Sequence, residues 1–109
     1  MANFDDRKDA FEKKFAHDGE LAFKIEARTA KLLGLWAAGK MGLAETEAQV
    51  YAKEVVAANL DEPGFDDIKR KVLFDMQAKN VEISDRVVDT ELQKFHEKAR
   101  EQIMAETGE

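Results

Sequence analysis

The chain has 109 residues and a formal net charge of −6, with 44% hydrophobic and 37% charged residues. That length encloses one modest core, and the apolar share is too high for a disordered chain, so residues 1–109 are expected to form a single helical domain. The acidic balance argues against nucleic acid as a partner, and the lack of cysteine excludes disulfides, thiolate nucleophiles and cysteine-based metal sites.

The N-terminus, Met1-Ala2-Asn3-Phe4-Asp5-Asp6-Arg7, has no apolar secretion core. No unbroken apolar run approaches bilayer length, so a soluble product without membrane insertion is expected. Charge is unevenly spread: residues 1–31 hold seven basic and seven acidic side chains, leaving the net acidity to the remainder.

Turn signals at Gly39, Gly42 and Asp61-Glu62-Pro63-Gly64 predict four helices, over Asp5–Ala38, Thr46–Leu60, Phe65–Ala78 and Ser84–Glu106. The first helix changes character along its length. Phe4, Phe11, Phe15, Ala22, Thr29, Leu33 and Trp36 fall within about 40° of Phe4, and Leu21, Ile25 and Leu32 widen the stripe only in the second half. Before Ala16 the apolar face is a narrow seam of three phenylalanines among charges. At 1.5 Å per residue this helix spans about 50 Å against about 35 Å for the fourth, so its N-terminal part should overhang the bundle. Such a seam is either a partner surface or a segment folded back over the core.

Gly34-Leu35-Trp36-Ala37-Ala38-Gly39-Lys40 matches the spacing of a phosphate-binding loop, but Met41 stands where Ser or Thr would reach magnesium. The stretch also closes a helix instead of opening one, which exposes carbonyls where a phosphate needs N–H groups. Gly39 and Gly42 are therefore read as C-cap and turn residues. Trp36, with Leu32 and Leu33, is expected to anchor the helix end in the core.

Thr46 and Gln49 have capping-box spacing at the head of the second helix. Its broad face of Ala48, Tyr51, Ala52, Val55 and Val56 would let a neighbour come close, with Val50 left over. The third helix gathers Phe65, Ile68, Val72 and Met76 on one side while Leu73 and Phe74 fall outside, which predicts contact on more than one side and the greatest enclosure. In the fourth, Val88, Leu92, Phe95, Ala99 and Ile103 lie within about 80°. Ser84 is placed to cap it and Ile83 to pack on Val88.

Catalytic chemistry is not apparent. His17 and His96 lie on different helices, without the three- or four-residue histidine spacing that a helix needs to chelate metal. No carboxylate pair stands on an apolar face, where burial would raise a pKa for acid–base work. A non-enzyme is expected, with neither cofactor nor metal.

Phe4-Asp5-Asp6-Arg7, Phe11-Glu12-Lys13-Lys14-Phe15-Ala16-His17-Asp18, Leu32-Leu33-Gly34-Leu35-Trp36-Ala37-Ala38 and Tyr51-Ala52-Lys53-Glu54-Val55-Val56 resemble the zeta subunit family of alphaproteobacterial F-type ATP synthases, as do Pro63-Gly64 and Arg70-Lys71-Val72. The resemblance implies an all-α four-helix protein whose N-terminal segment inhibits ATP hydrolysis by docking on the catalytic head of the synthase. It would place the protein in the cytoplasm, held peripherally at the inner membrane through the synthase. The inhibitory segment that it implies is Phe4 to Phe15, extending to Asp18, within a partner-binding arm of residues 1–18. Within it Phe4, Phe11 and Phe15 would fill apolar pockets, Arg7, Lys8, Lys13 and Lys14 would pair with acids, and Asp5 and Asp6 would complete the partner-binding set. The family commonly has two successive arginines where this chain reads Arg28-Thr29-Ala30. The alternative function is an adenine-nucleotide-sensing helical module without turnover, binding nucleotide weakly between helices near Trp36 and Lys40.

Overall fold

The computed structural model describes residues 3–60 and 64–108, with the side chains of residues 18–60 and 64–108. Four helices, α1 (Asn3–Lys40), α2 (Glu45–Asn59), α3 (Asp66–Ala78) and α4 (Asp85–Thr107), and no strand occur among the described residues. This is the all-α four-helix bundle that the periodicity predicts.

Caps and turns set the helix ends. α1 closes in a Schellman motif: Leu43 N donates to Ala38 O at 3.0 Å and Gly42 N to Gly39 O at 3.1 Å, with Gly42 at φ +75. Gly39 thus stays helical, and Gly42 alone supplies the left-handed residue. That turn fixes where the chain re-enters a helix. α2 therefore begins at Glu45, and Ala44 occupies the N-cap with extended backbone and no side-chain cap. Thr46 is already helical, which overturns the capping-box expectation; Glu45 and Glu47 instead place negative charge at the positive end of the helix. Ser84 behaves as expected, its Oγ accepting from Val87 N at 3.2 Å. Ile83, just before it, packs on the cluster that contains Val88.

The helices alternate in direction. Tyr51 meets Asp75, Lys69 meets Asp85 and Asp89, and Arg28 meets Gln102 and Glu106, so each helix runs back along its predecessor and α4 runs back along α1. The core is built mainly on the second half of α1, where Thr29, Ala30, Leu33, Ala37 and Ala38 are all at 0% exposure. Around them pack Val55 of α2, Ile68, Val72 and Met76 of α3, and Val88 of α4. Each large apolar side chain so buried contributes about 2 kcal/mol. The third helix is not the most enclosed element: it buries a single stripe and leaves Phe74 73% exposed.

Helix α1 comes very near α2 at one place. A Cβ built on Gly34 would lie 2.9 Å from Ala52 Cα and 3.2 Å from Val55 Cβ. The segment that imitates a phosphate loop is therefore wholly helical, and its first glycine serves a helix crossing. Backbone N–H groups there are committed to the helix.

The C-terminal ends of α2 and α4 reach α1 at the level of Phe23 to Lys31, where Val56, Ile103, Glu106 and Thr107 line a common groove with it. With 38 residues α1 is about 57 Å long at 1.5 Å per residue, so its N-terminal part overhangs the bundle. The extents of 67 × 23 × 21 Å follow from that overhang.

Candidate partner-binding interface

The arm expected to meet a partner forms the N-terminal part of α1, a single helix from Asn3 without interruption to Lys40. Phe4, Phe11 and Phe15 therefore hold register positions within about 40° of one another, and Asp5, Asp6, Arg7, Lys8, Lys13 and Lys14 hold the positions around them. Asp5 and Asp6 fall in the first two turns, where acids suit the positive helix end. The side chains of these nine residues, and that of His17, lie outside those described. Where description begins, Asp18, Gly19, Glu20, Ala22, Phe23 and Lys24 are exposed, so Ala22 continues the seam in register without being covered.

At the root of the overhang, Arg28 ties α1 to the end of α4. Its Nη1 donates to Gln102 Oε1 at 2.8 Å and its Nη2 to Glu106 Oε1 at 2.9 Å. With side chains 26% and 54% exposed, the ion pair itself is worth at most about 1 kcal/mol. The two bonds reach side chains one turn apart on α4 and so pair Arg28 with the last turns of that helix. The two following residues, Thr29 and Ala30, are fully buried, and Thr29 Oγ1 donates to Ile25 O at 2.7 Å. An arginine at either position would carry a guanidinium into the core. Arg28 is thus the one arginine that this backbone can present there.

Beside Arg28 lies the groove of about 540 Å³ between α1, α2 and α4. Phe23, 56% exposed, stands at its edge. Periodicity alone does not mark Phe23, since it falls off the apolar stripe of α1. Its signal in the sequence is an aromatic placed directly before Lys24 and four residues before Ala27, on a face that carries no other aromatic.

Across the molecule, α2 and α3 are joined by a polar cluster. Tyr51 Oη donates to Asp75 Oδ2 at 2.8 Å, Lys71 Nζ lies 3.1 Å from the same carboxylate, and Lys71 sits 5.4 Å from the Tyr51 ring centroid. Burial, then the hydrogen bond to Asp75 and the negative charge of Asp75 and Glu54, push the Tyr51 hydroxyl well above its ordinary range. Lys69, hydrogen-bonded to Asp89 and facing Asp85 at the head of α4, is also raised. These groups tie α2 to α3 and α3 to α4.

Trp36 is half-buried against the core and Lys40 is exposed at the end of α1. Two grooves near that end of α1 are lined by residues such as Leu43, Tyr51 and Glu54, and neither Trp36 nor Lys40 lines them. His96 is exposed and meets the Phe65 ring edge-on, with centroids 5.5 Å apart. Among the described residues no group of three or more His, Asp or Glu is placed to hold a metal ion, and no helix is long and apolar enough to cross a membrane.

Comparison with known proteins accords with the arrangement. One solved structure, a solution NMR structure of a protein, is 40% identical, covers 77% of this chain and 95% of its own, and has a TM-score of 0.67. No curated protein matches. The family model for ATPase inhibitor subunit zeta matches residues 1–102, which takes in α1 to α3 and most of α4. This long-armed helical bundle therefore belongs to the ATPase inhibitor subunit zeta family.

Proposed function

We propose that this chain inhibits ATP hydrolysis by an F-type ATP synthase, and that it does so by inserting the N-terminal part of α1 into a subunit crevice of the catalytic head. The observation that carries this reading is the unbroken α1 helix, whose first half overhangs the bundle while its second half forms the core, in a chain of an ATPase inhibitor family. A helix anchored in that way delivers a rigid rod to a partner with little conformational entropy left to lose.

In this mechanism the body acts as a stop and residues 1–18 act as a wedge. Phe4, Phe11 and Phe15 enter apolar pockets, where buried aromatic anchors supply most of the binding energy. Arg7, Lys8, Lys13 and Lys14 pair with acids of the head, and Asp5 and Asp6 meet its donors at the helix start. The wedge blocks the subunit motion that hydrolysis requires, and no chemistry is asked of the inhibitor. The protein then resides in the cytoplasm, at the inner membrane only through the synthase.

Replacing Phe4, Phe11 and Phe15 together by alanine tests the proposal. Truncation at interface hot spots costs about 2 kcal/mol or more per residue, so half-inhibition of the cognate ATPase should move to at least 1000-fold higher concentration. Unchanged inhibition by the triple variant would remove the wedge.

A further inference from the structure

We infer that the groove at the root of the arm is a second docking site, which receives an acidic amphipathic helix on the surface of the ATPase beside the crevice. The inference rests on the arm reading above and adds a contact made by the body. Ala27, Val56 and Ile103 give the groove an apolar floor, and Phe23, 56% exposed, adds an aromatic at its edge.

Its charge is opposite to that of the chain. Lys24, Arg28 and Lys31 line it against one acid, Glu106, in a protein of net charge −6. Arg28 and Glu106 are paired with each other at 2.9 Å, which leaves two lysines, neither in an ion pair among the described residues. Lys24, Ala27 and Lys31 follow one another at i, i+3 and i+7, so the cations and the apolar patch run together along one face of α1. The complement of such a face is a helix with two acids about seven residues apart and an apolar side chain between them. Position points the same way. Phe23 lies five residues beyond Asp18 on the same unbroken helix, about 8 Å along its axis, so an arm seated to Asp18 brings the groove to the mouth of the crevice.

The test uses the full chain with a photo-crosslinking phenylalanine analogue at position 23 or, separately, at position 11, each mixed with the cognate F1-ATPase. Mass mapping of the position 23 adduct to an acidic amphipathic segment of the ATPase supports the site. Adducts from position 11 with none from position 23, or with position 23 joined to a second copy of this chain, overturn the site and keep the arm reading. Adducts from neither position overturn both. In parallel, the K24E/K31E variant should bind the ATPase about tenfold more weakly at low salt and lose much of the salt dependence of binding, with an unchanged far-UV spectrum. Equal affinity and equal salt dependence in variant and parent would contradict the inference.

Discussion

Gly34 and Ala52 meet at the crossing of α1 and α2, where a single added carbon on Gly34 would approach Ala52 Cα to 2.9 Å. Backbone cannot swing aside as a side-chain tip can, so this contact sets the spacing of the two helices. It also explains why a glycine is kept inside a helix at a propensity cost of about 1 kcal/mol relative to alanine.

Gly34→Ala should therefore destabilise the bundle despite the better helix former. Overpacking costs about 1–3 kcal/mol, and after the propensity gain of about 1 kcal/mol a net loss of up to about 2 kcal/mol is expected. Denaturant unfolding of both forms measures it. A more stable variant would mean that the crossing relaxes freely.

Arg28 and Glu106 are expected to couple weakly. A double-mutant cycle with Arg28→Ala and Glu106→Ala should give an interaction of about 0.5 kcal/mol that shrinks as salt is added. The single Arg28→Ala change should cost more than Glu106→Ala, because it also leaves Gln102 without its donor at 2.8 Å.

Tyr51 is the one tyrosine in the chain, so tyrosinate absorbance reports this side chain alone. Its folded pKa is raised above the ordinary value of 10.0, first by burial and then by the hydrogen bond to Asp75. The protonated form is the one that the fold favours. The resulting stability is complete below about pH 10 and is lost as pH rises above it. Titration should show no tyrosinate near pH 10 in the folded protein, followed by ionisation coincident with alkaline unfolding. In Tyr51→Phe that pH dependence should vanish, at a cost of about 1 kcal/mol at neutral pH.

Much of this architecture is legible from residues alone, and the reasons differ by element. The stripe of Val88, Leu92, Ala99 and Ile103 is clear because charged and polar residues cover most of the rest of α4, and Ser84 caps where a serine before such a stripe should. The start of α2 is not legible, because the Schellman turn at Gly42 decides it and that turn leaves Thr46 inside the helix. Enclosure is misjudged for α3 since hydrophobicity does not say how many neighbours a short helix finds; Phe74 is apolar and still exposed.

The proposed interface divides in the same way. The phenylalanine seam and the overhang follow from periodicity and helix length within one segment. The groove around Phe23 joins three helices far apart in sequence, so its lysines look like ordinary surface charges until Val56 and Ile103 are brought beside them. Thr29 lies on the apolar stripe and is fully buried, as is Ala30, so the positions beside Arg28 where the family commonly has a second arginine are core positions here.

The most direct measurement is inhibition of the cognate F1-ATPase by the intact chain and by a chain lacking residues 1–15. The truncated protein should keep its helical spectrum and its cooperative thermal transition while losing inhibition. If the folded, truncated chain inhibited hydrolysis as strongly as the intact one, the account of α1 as an inhibitory wedge would be contradicted.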